Sequence, residues 1–408
     1  MRVLFVVQRY GTEIAGGAEQ LVREYAVRLA DRGHEVEVLT SCALDYTDWA
    51  DRFAPGTVYE DGVTVHRLAV RARRDNHLFG PLHRRVDGTG SNSARGSAVV
   101  NAAFGAMIGP DLDGLVEWLD RHVGRFDVVV FSGYMFTPST RGLPAVSGRV
   151  ATVLQSLAHD EGLLRLPGLR RLFDHPTVLN HLTEEEAALV RTRFRPDAPS
   201  VVFGAGVAAV PEGVDRRSGR GVAERFGVSA KDYLVCLGRI DPAKGMHELA
   251  GRFDRFRRRH DHDVEMVFVG SEVHGLPHHD GVIVTGFVDE RTRWELTAGA
   301  AVLAQPSYFE SFSLSLAEGW RCGLPALVQG HSDVLAGQVD RAGGGLTYRD
   351  QAGFEAALDL LLSDRGLRDS LGGAGRDYVV RYDWPTVLDS VEAMLEDARY
   401  RFAAGCRG

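Results

Sequence analysis

Residues 306–325 read PSYFESFSLSLAEGWRCGLP, with two glutamates eight positions apart, Glu310 and Glu318. An apolar run at 300–304 precedes it and another at 326–328 follows it, and both runs are typical of buried strands. The pattern between them predicts a helix at 313–321. Because consecutive parallel strands need a crossover connection, usually a helix, this order predicts two parallel strands in one sheet.

The same alternation of strands and helices runs along the chain. Further strands are predicted at 2–7, 35–40, 63–68, 127–131, 149–154 and 177–180, and at 233–237, 264–269 and 282–285. Further helices are predicted in the second half at 245–259, 290–298, 352–363 and 367–380, with a final helix at 385–402. Such alternation indicates an α/β protein with two facing, doubly wound Rossmann-like domains. The segment 206–221, rich in Gly and Arg with a proline, is interpreted as the hinge between them.

Composition limits the class of protein. The chain has 408 residues, of which 44% are hydrophobic and 25% charged, as expected for a soluble globular protein of two domains. A net charge of −8 argues against a general nucleic-acid binder. No stretch predicts a transmembrane segment, the opening apolar run is too short for a signal peptide, and four scattered cysteines without a CxxC pair indicate a reducing cytoplasm. Peripheral membrane contact stays open.

Two cations stand out in CLGRIDPAKGM, residues 236–246. Arg239 directly follows a predicted strand, and Lys244 lies in a Pro-Ala-Lys-Gly loop before a helix. Lysine is scarce, since only Lys231 and Lys244 occur among 47 basic residues. Two cations at the carboxyl end of a strand supply the charge and the donors that a pyrophosphate needs. The alternative is an ordinary surface pair.

The opening stretch adds groups that suit a nucleotide sugar. Backbone amides at Ser311, Phe312 and Ser313, where the predicted helix begins, are suited to a phosphate. Glu310 is placed to accept hydrogen bonds from sugar hydroxyls, and Glu318, about two turns into the helix, from both hydroxyls of a ribose. The alternative is a serine N-cap followed by two solvent-exposed acids.

Three segments together resemble the donor domain of the retaining GT-B glycosyltransferases of family 4: GRIDPAKG (238–245), GFVDERTRWEL (286–296) and PSYFESFSLSLAEGWRCGLP (306–325). The E-x7-E motif of that family matches Glu310 and Glu318. The loop from Gly16 to Glu19 resembles its GGAE loop, and residues 374–395 resemble its closing segment. The resemblance covers nearly the whole chain and is strongest over 233–329.

The resemblance implies a GT-B fold with a cleft between its domains. An acceptor-binding domain would span 1–205, a donor-binding domain 206–384, and a C-terminal helix at 385–408 would cross back to the first domain. The implied reaction moves a sugar from a UDP- or GDP-sugar to a hydroxyl of a glycan, a lipid-linked sugar or a small natural product. Anomeric configuration would be retained, and neither a metal nor another cofactor is expected.

Roles for single residues follow from the same resemblance. Arg239 and Lys244 would hold the diphosphate together with the amides of Ser311, Phe312 and Ser313. Glu310 would contact the transferred sugar, and Glu318 the nucleotide ribose. In the first domain, Gly16 and Gly17 would lie near the phosphates and the acceptor. His159, in VLQSLAHDE, is the candidate for the histidine beside the donor sugar. Arg239, Lys244, Glu310 and His159 form the expected catalytic set.

The chain departs from the family pattern in places. Ser313 stands where glycine is usual, and Gly319-Trp320 replaces a typical Ala-Met pair, which predicts a different cleft shape and sugar preference. FGAGV at 203–207 keeps only Gly206 of the usual proline-asparagine-glycine form.

Several other motifs fit their surroundings poorly. Gly204 and Gly206 imitate a dinucleotide fingerprint, but Pro211 and Gly213 follow where a helix is required. Asp111 and Asp113 resemble a metal-binding DxD and are better interpreted as a helix cap. A zinc site is also disfavoured for a group in an exposed loop, comprising His274, His278, His279 and Asp280.

Two broader alternatives remain. Seven arginines at 67–95 predict either a loop that attracts an anionic or lipid-linked acceptor, or a plainly solvated loop. The chain could also be a non-catalytic nucleotide-sugar-binding subunit of a partner enzyme, or a GT-B phosphorylase.

Overall fold

The computed structural model describes residues 1–14, 16–80, 83, 107–272 and 275–405. The chain divides into two compact units. The first comprises Met1–Gly204 with the C-terminal helix from Val387, and the second comprises Ala205–Thr386. Each unit has its own sheet and its own core.

The first unit is built on an eight-stranded sheet of order β3-β4-β2-β1-β5-β6-β7-β8. Its strands are β1 Arg2–Val6, β2 Glu35–Ser41, β3 Gly56–Glu60, β4 Val63–Leu68, β5 Val128–Ser132, β6 Ala151–Gln155, β7 Val178–His181 and β8 Ser200–Val202. All neighbours are parallel except β3 and β4. The apolar run after Arg2 is buried in the middle of the sheet, where Val3 lies between Val36 and Val128.

Helices cover this sheet and include the end of the chain. They are α1 Gly17–Asp31, α2 Leu115–His122, α3 Thr137–Val146, α4 Glu184–Phe194 and the long C-terminal helix α12 Trp384–Gly405. Glu392 of α12 is held by Arg32 and His34, which lie just after α1. The last helix is therefore fastened to the first unit by charged side chains as well as by a buried apolar face.

The second unit carries a six-stranded, fully parallel sheet of order β11-β10-β9-β12-β13-β14. Its strands are β9 Asp232–Leu237, β10 Val264–Val269, β11 Val282–Val284, β12 Val302–Gln305, β13 Ala326–Gln329 and β14 Gly345–Tyr348. Its helices are α5 Arg216–Arg225, α6 Met246–Arg259, α7 Glu290–Ala298, α8 Leu314–Arg321, α9 Asp333–Ala342, α10 Gln351–Ser363 and α11 Arg365–Val379. Since β9 and β12 are parallel neighbours, the loops that follow them lie at the same edge of the sheet.

The hinge predicted at 206–221 is partly wrong, because α5 begins inside it at Arg216. Asp215 caps this helix and forms a reciprocal capping box with Ser218. Gly219 packs so closely on α7 that a Cβ there would lie 2.1 Å from the carbonyl oxygen of Glu295. Gly219, one of the glycines on which the hinge prediction is based, is thus a residue that allows two helices to pack closely.

Of the described residues, none belongs to a helix long and apolar enough to cross a membrane.

Candidate active site

The two motif loops of the second unit meet at the carboxyl edge of its sheet. Lys244 follows β9 and Glu310 follows β12, and the Lys244 Nζ lies 2.9 Å from Glu310 Oε1. The lysine side chain is 41% exposed and the glutamate only 14%. The structure therefore brings the predicted diphosphate cation and the predicted sugar-binding acid into one charged pair at an accessible edge.

A tight turn sets the position of Lys244. Asp241 accepts a hydrogen bond from the amide of Ala243 at 3.0 Å and so caps the turn at 242–244. Gly245 ends the turn with a φ of 74°, and a Cβ there would lie 2.5 Å from the carbonyl oxygen of Pro306. Only glycine satisfies both the positive φ and this contact. The lysine loop is consequently packed on the segment that leads to Glu310.

Arg239 lies on the same loop. Its Nε is 3.6 Å from Asp241 Oδ2, and one third of its side chain is exposed, at 33%. Asp241 thus caps the turn that carries Lys244 and also lies within ion-pair distance of Arg239. Both cations lie on the short loop after β9, and the binding of a diphosphate there stays a prediction.

The segment at 311–313 has a strained backbone and committed side chains. Ser313 is the N-cap of α8 and has a φ of 70°, a conformation that favours glycine. Its Oγ accepts a hydrogen bond from Gln305 Nε2 at 2.9 Å. The Phe312 ring is buried, edge-on to Tyr382 at 4.9 Å. Any ligand contact from Phe312 or Ser313 would therefore come from the backbone, as the sequence predicts.

Glu318 is paired with Arg293, a residue that no sequence motif connects with it. Arg293 of α7 donates a hydrogen bond to Glu318 Oε2, and both side chains are largely buried. Burial lowers the pKa of the Arg293 guanidinium, but the adjacent Glu318 carboxylate outweighs it and raises this pKa above the ordinary value. Arg293 lies within GFVDERTRWEL. Its contact with Glu318 arises because α7 packs beside α8, and the spacing of residues in the sequence does not predict such a contact between two helices.

Gly319 and Trp320 both face the core of the second unit, so neither offers a side chain to a ligand directly, and their expected effect on cleft shape and sugar preference stays a prediction. A Cβ on Gly319 would lie 2.6 Å from a methyl group of Leu303. Trp320 is fully buried, and its Nε1 donates to the carbonyl oxygen of Gly344 at 2.8 Å. The larger ring fits because Gly344 and Gly375 have no side chain beside it.

In the first unit, His159 follows β6 by four residues and is 23% exposed. Its Nδ1 lies 3.3 Å from Glu161 Oε1, which also accepts a hydrogen bond from the Tyr134 hydroxyl at 2.9 Å. Burial raises the pKa of Glu161, but the hydrogen bonds from His159 and Tyr134 prevail and hold it below the usual range. An ionised carboxylate therefore orients the imidazole.

The glycine loop of the first unit closes on a buried ion pair. Arg9 and Glu19 are both buried, with 2.6 Å between Nη2 and Oε1. A Cβ on Gly16 would lie 2.2 Å from the Glu19 carboxylate, so a side chain there would displace this carboxylate from its pair with Arg9. A Cβ on Gly17 would meet no atom within 4 Å, which leaves the surface beside the loop open. Gly16, Gly17 and His159 belong to the first unit, whereas the residues predicted to bind the diphosphate, ribose and sugar belong to the second.

The weaker motifs have structural partners. Asp111 pairs with Arg141, and Asp113 pairs with Arg71. The interpretation of this DxD as a helix cap is wrong, because Gly114 is the N-cap of α2 and no side chain caps it.

The arginine-rich and histidine-rich segments are described only in part. Arg67 pairs with Glu60 at 3.0 Å, and Arg74 donates to the carbonyl oxygen of Met107 at 3.2 Å. Arg84, Arg85, Arg95 and His274 lie outside the described residues.

Two α/β sheets, parallel throughout except for the pair β3 and β4, are the architecture of the GT-B class of glycosyltransferases. The fold matches sucrose-phosphate synthase from Thermosynechococcus elongatus with a TM-score of 0.69 and 17% identity, covering 99% of each chain. The prediction of this fold class is confirmed.

The family follows from the sequence comparisons. The profile for glycosyl transferases group 1 matches residues 224–378, and that for the glycosyl transferase 4-like domain matches residues 16–206. A glycogen synthase of Mycobacterium tuberculosis is 25% identical over 95% of this chain and 92% of its own length. A D-inositol 3-phosphate glycosyltransferase of Stackebrandtia nassauensis is 25% identical over 98% of this chain and 91% of its own. The chain belongs to the group 1, family 4-like glycosyltransferases, as the E-x7-E stretch predicts, and this membership implies a nucleotide-sugar donor.

Proposed function

We propose that the protein transfers a hexosyl group from a UDP- or GDP-sugar to an acceptor hydroxyl with retention of configuration and without a metal ion. The contact between Lys244 and Glu310 supports this proposal most directly, because it joins the diphosphate motif to the sugar motif. In a nucleotide sugar the transferred sugar is bonded directly to the diphosphate. A protein that binds both parts therefore needs its diphosphate-binding cation close to its sugar-binding carboxylate.

The pair between Lys244 and Glu310 is suited to exchange partners when the donor binds. A partly exposed ion pair contributes only about 0–1 kcal/mol. A diphosphate offers Lys244 a stronger, doubly charged partner, and Glu310 then accepts hydrogen bonds from the sugar hydroxyls. The donor therefore replaces the weak pair at little cost in stability.

The proposed chemistry is carried by fixed charges. As the bond between the anomeric carbon and the β-phosphate oxygen breaks, negative charge accumulates on the leaving diphosphate. Lys244, Arg239 and the amides at 311–313 stabilise that charge. The acceptor oxygen bonds to the anomeric carbon on the face that the phosphate leaves, and its proton passes to a phosphate oxygen. His159, oriented by Glu161, contacts the sugar from the first unit.

The acceptor is proposed as a hydroxyl compound that binds the first unit. The names of two relatives indicate a glycan in one case and an inositol phosphate in the other. Both offer a hydroxyl as nucleophile. An anionic acceptor is the narrower candidate. In the described part of the arginine-rich segment, Arg67, Arg71 and Arg74 already have partners within the first unit, so these three arginines do not favour it.

A two-stage experiment tests the proposal. Thermal unfolding against a panel of UDP- and GDP-hexoses identifies the donor, because a ligand that binds only the native state raises the midpoint. Release of nucleotide diphosphate from that donor is then measured, and NMR of the product reports its anomeric configuration. We expect one nucleotide class to stabilise the protein and the product to keep the donor configuration.

The same experiment separates the alternatives. A non-catalytic subunit would bind the nucleotide sugar but release no diphosphate until a partner protein is added. A phosphorylase would require inorganic phosphate and no nucleotide. An inverted product would contradict the proposed mechanism.

A further inference from the structure

The chain bends sharply between β6 and His159. The bend is at Leu157, whose φ of 52° places a leucine in the left-handed region. For residues other than glycine this conformation is strained, because the Cβ lies too close to the backbone. It persists where the surrounding structure imposes it, and such positions cluster at functional sites.

One buried carboxylate holds both sides of the bend. Glu186 Oε1 accepts a hydrogen bond from the hydroxyl of Ser156 at 2.5 Å and another from the amide of Ala158 at 2.8 Å. These two donors flank Leu157 directly. Glu186 Oε2 accepts a third hydrogen bond, from the amide of Leu182 at 2.8 Å. The Glu186 side chain has no exposed surface, so these bonds are not weakened by water.

A buried histidine completes the cluster. His181, at the end of β7, has its Nδ1 at 2.8 Å from the Ser156 hydroxyl oxygen. Because the single hydroxyl hydrogen is directed to Glu186, His181 Nδ1 carries a proton and donates to Ser156. The cluster of Ser156, His181 and Glu186 therefore ties the ends of β6 and β7 to the first turn of α4.

We propose that Glu186 is a positioning residue for His159. It fixes the amide of Ala158, the residue directly before His159, and thereby sets the direction in which the histidine leaves the sheet edge. The inference rests on the proposed function, which puts His159 beside the donor sugar. The role is positional, since Glu186 is buried beneath the loop and acts only through it.

The substitution Glu186→Gln tests this role with little change in volume. A glutamine amide presents hydrogens to at least one of the three donors, so the bend loses part of its support. We expect turnover to fall roughly 10- to 100-fold while KM for the donor changes little, because the second unit holds the nucleotide. The matched control is Glu184→Gln, an exposed acid in the same helical turn, which should match the wild type.

Two further variants test whether Glu186 affects turnover through His159 or only through the stability of the fold. If Glu186 acts through His159, the double variant Glu186→Gln/His159→Ala should be no slower than His159→Ala alone. Because glycine adopts a positive φ without strain, Leu157→Gly should partly restore turnover in the Glu186→Gln background. Additive losses with no restoration would overturn the proposal.

A readout without turnover keeps this test separate from that of the proposed function. In protein labelled with ¹³C-histidine, Glu186→Gln should shift the His159 ring signal and leave that of the exposed His278 in place. Calorimetric binding of UDP or GDP should be unchanged. An unmoved His159 signal would count against the positioning role. A wild-type protein that neither binds nor cleaves any nucleotide sugar would refute the proposed function. The change in the His159 ring signal would still decide the positioning role in that case.

Discussion

Lys244 and Glu310 are 66 positions apart in the chain, and their side chains meet at 2.9 Å. The meeting follows from the order of the sheet, in which β9 and β12 are parallel neighbours although two strands separate them in sequence. The loop after each strand therefore opens at the same edge. A cation and a carboxylate are placed together there without any local sequence signal for their contact.

The first prediction concerns Lys244, whose charge we propose to stabilise the leaving diphosphate. Lys244→Ala should lower turnover by roughly 100-fold or more, with little change in the thermal midpoint, because the pair with Glu310 is partly exposed. Lys231→Ala is the matched control, since Lys231 is the only other lysine and lies at the amino end of β9. Steady-state release of nucleotide diphosphate measures both. Equal activity in the two variants would remove Lys244 from the mechanism.

The second prediction tests the packing of the lysine loop. Gly245→Ala should destabilise the protein by about 1–3 kcal/mol, because alanine is strained at positive φ and its Cβ would meet the Pro306 carbonyl. Gly251→Ala, in the middle of α6, should instead stabilise by up to about 1 kcal/mol, since its Cβ meets only Arg255 at 3.7 Å. Urea unfolding compares the two. Similar midpoints for both variants would contradict the packing argument.

The third prediction concerns the pair of Arg293 and Glu318. Arg293→Ala should weaken binding of UDP or GDP by roughly tenfold or more, because the carboxylate loses the charged hydrogen bond that orients it. Turnover at saturating donor should change less. Arg291→Ala, on the same helix with its Nε 3.3 Å from Glu295, is the control. Wild-type calorimetric affinity in Arg293→Ala would show that the pair has no part in nucleotide binding.

Local patterns predicted the central strands well because burial on both faces gives continuous apolar runs. The strand predicted at 264–269 is observed as Val264–Val269. Of the four edge strands in the described sheets, β11 was predicted at 282–285, whereas β3, β8 and β14 were missed because they lack a continuous apolar run. β3 is almost wholly exposed, and β14 begins with Gly345, so neither has an apolar run.

Residue identity predicted which groups could bind a nucleotide sugar, but tertiary packing determines what each one contacts. Trp320 shows the difference. Its ring packs against Gly344 and Gly375, which are 24 and 55 positions further along the chain. Nothing in the local sequence around these two glycines indicates that they make room for the indole ring. Arg293 was missed similarly, since its partner lies on another helix.

The fourth prediction concerns Ser313, which stands where the family usually has glycine. Ser313→Gly should have nearly unchanged stability, because the relief of strain at a φ of 70° offsets the lost hydrogen bond from Gln305. Ser313→Ala keeps the strain and loses the bond, so it should be destabilised by about 1–2 kcal/mol. Urea unfolding of both variants checks the order. Alanine as stable as glycine would mean that the backbone here is not strained.

The last prediction concerns acid stability and the attachment of α12. Burial raises the pKa of Glu392, but hydrogen bonds from His34 and Arg32 outweigh it and hold the pKa below the usual range. A carboxyl group whose pKa is lowered by folding stabilises the protein above its unfolded pKa of about 4.3, and this contribution is lost as the pH falls through the folded value. Glu392→Gln should therefore lower the thermal midpoint by about 2–4 °C at pH 7 and by progressively less below about pH 4.3. Glu396→Gln, an exposed acid one turn further along, removes the same charge and should change the midpoint little at any pH. If the difference between Glu392→Gln and wild type stayed constant from pH 7 to about pH 3, the ion pairs with Arg32 and His34 would not be its cause.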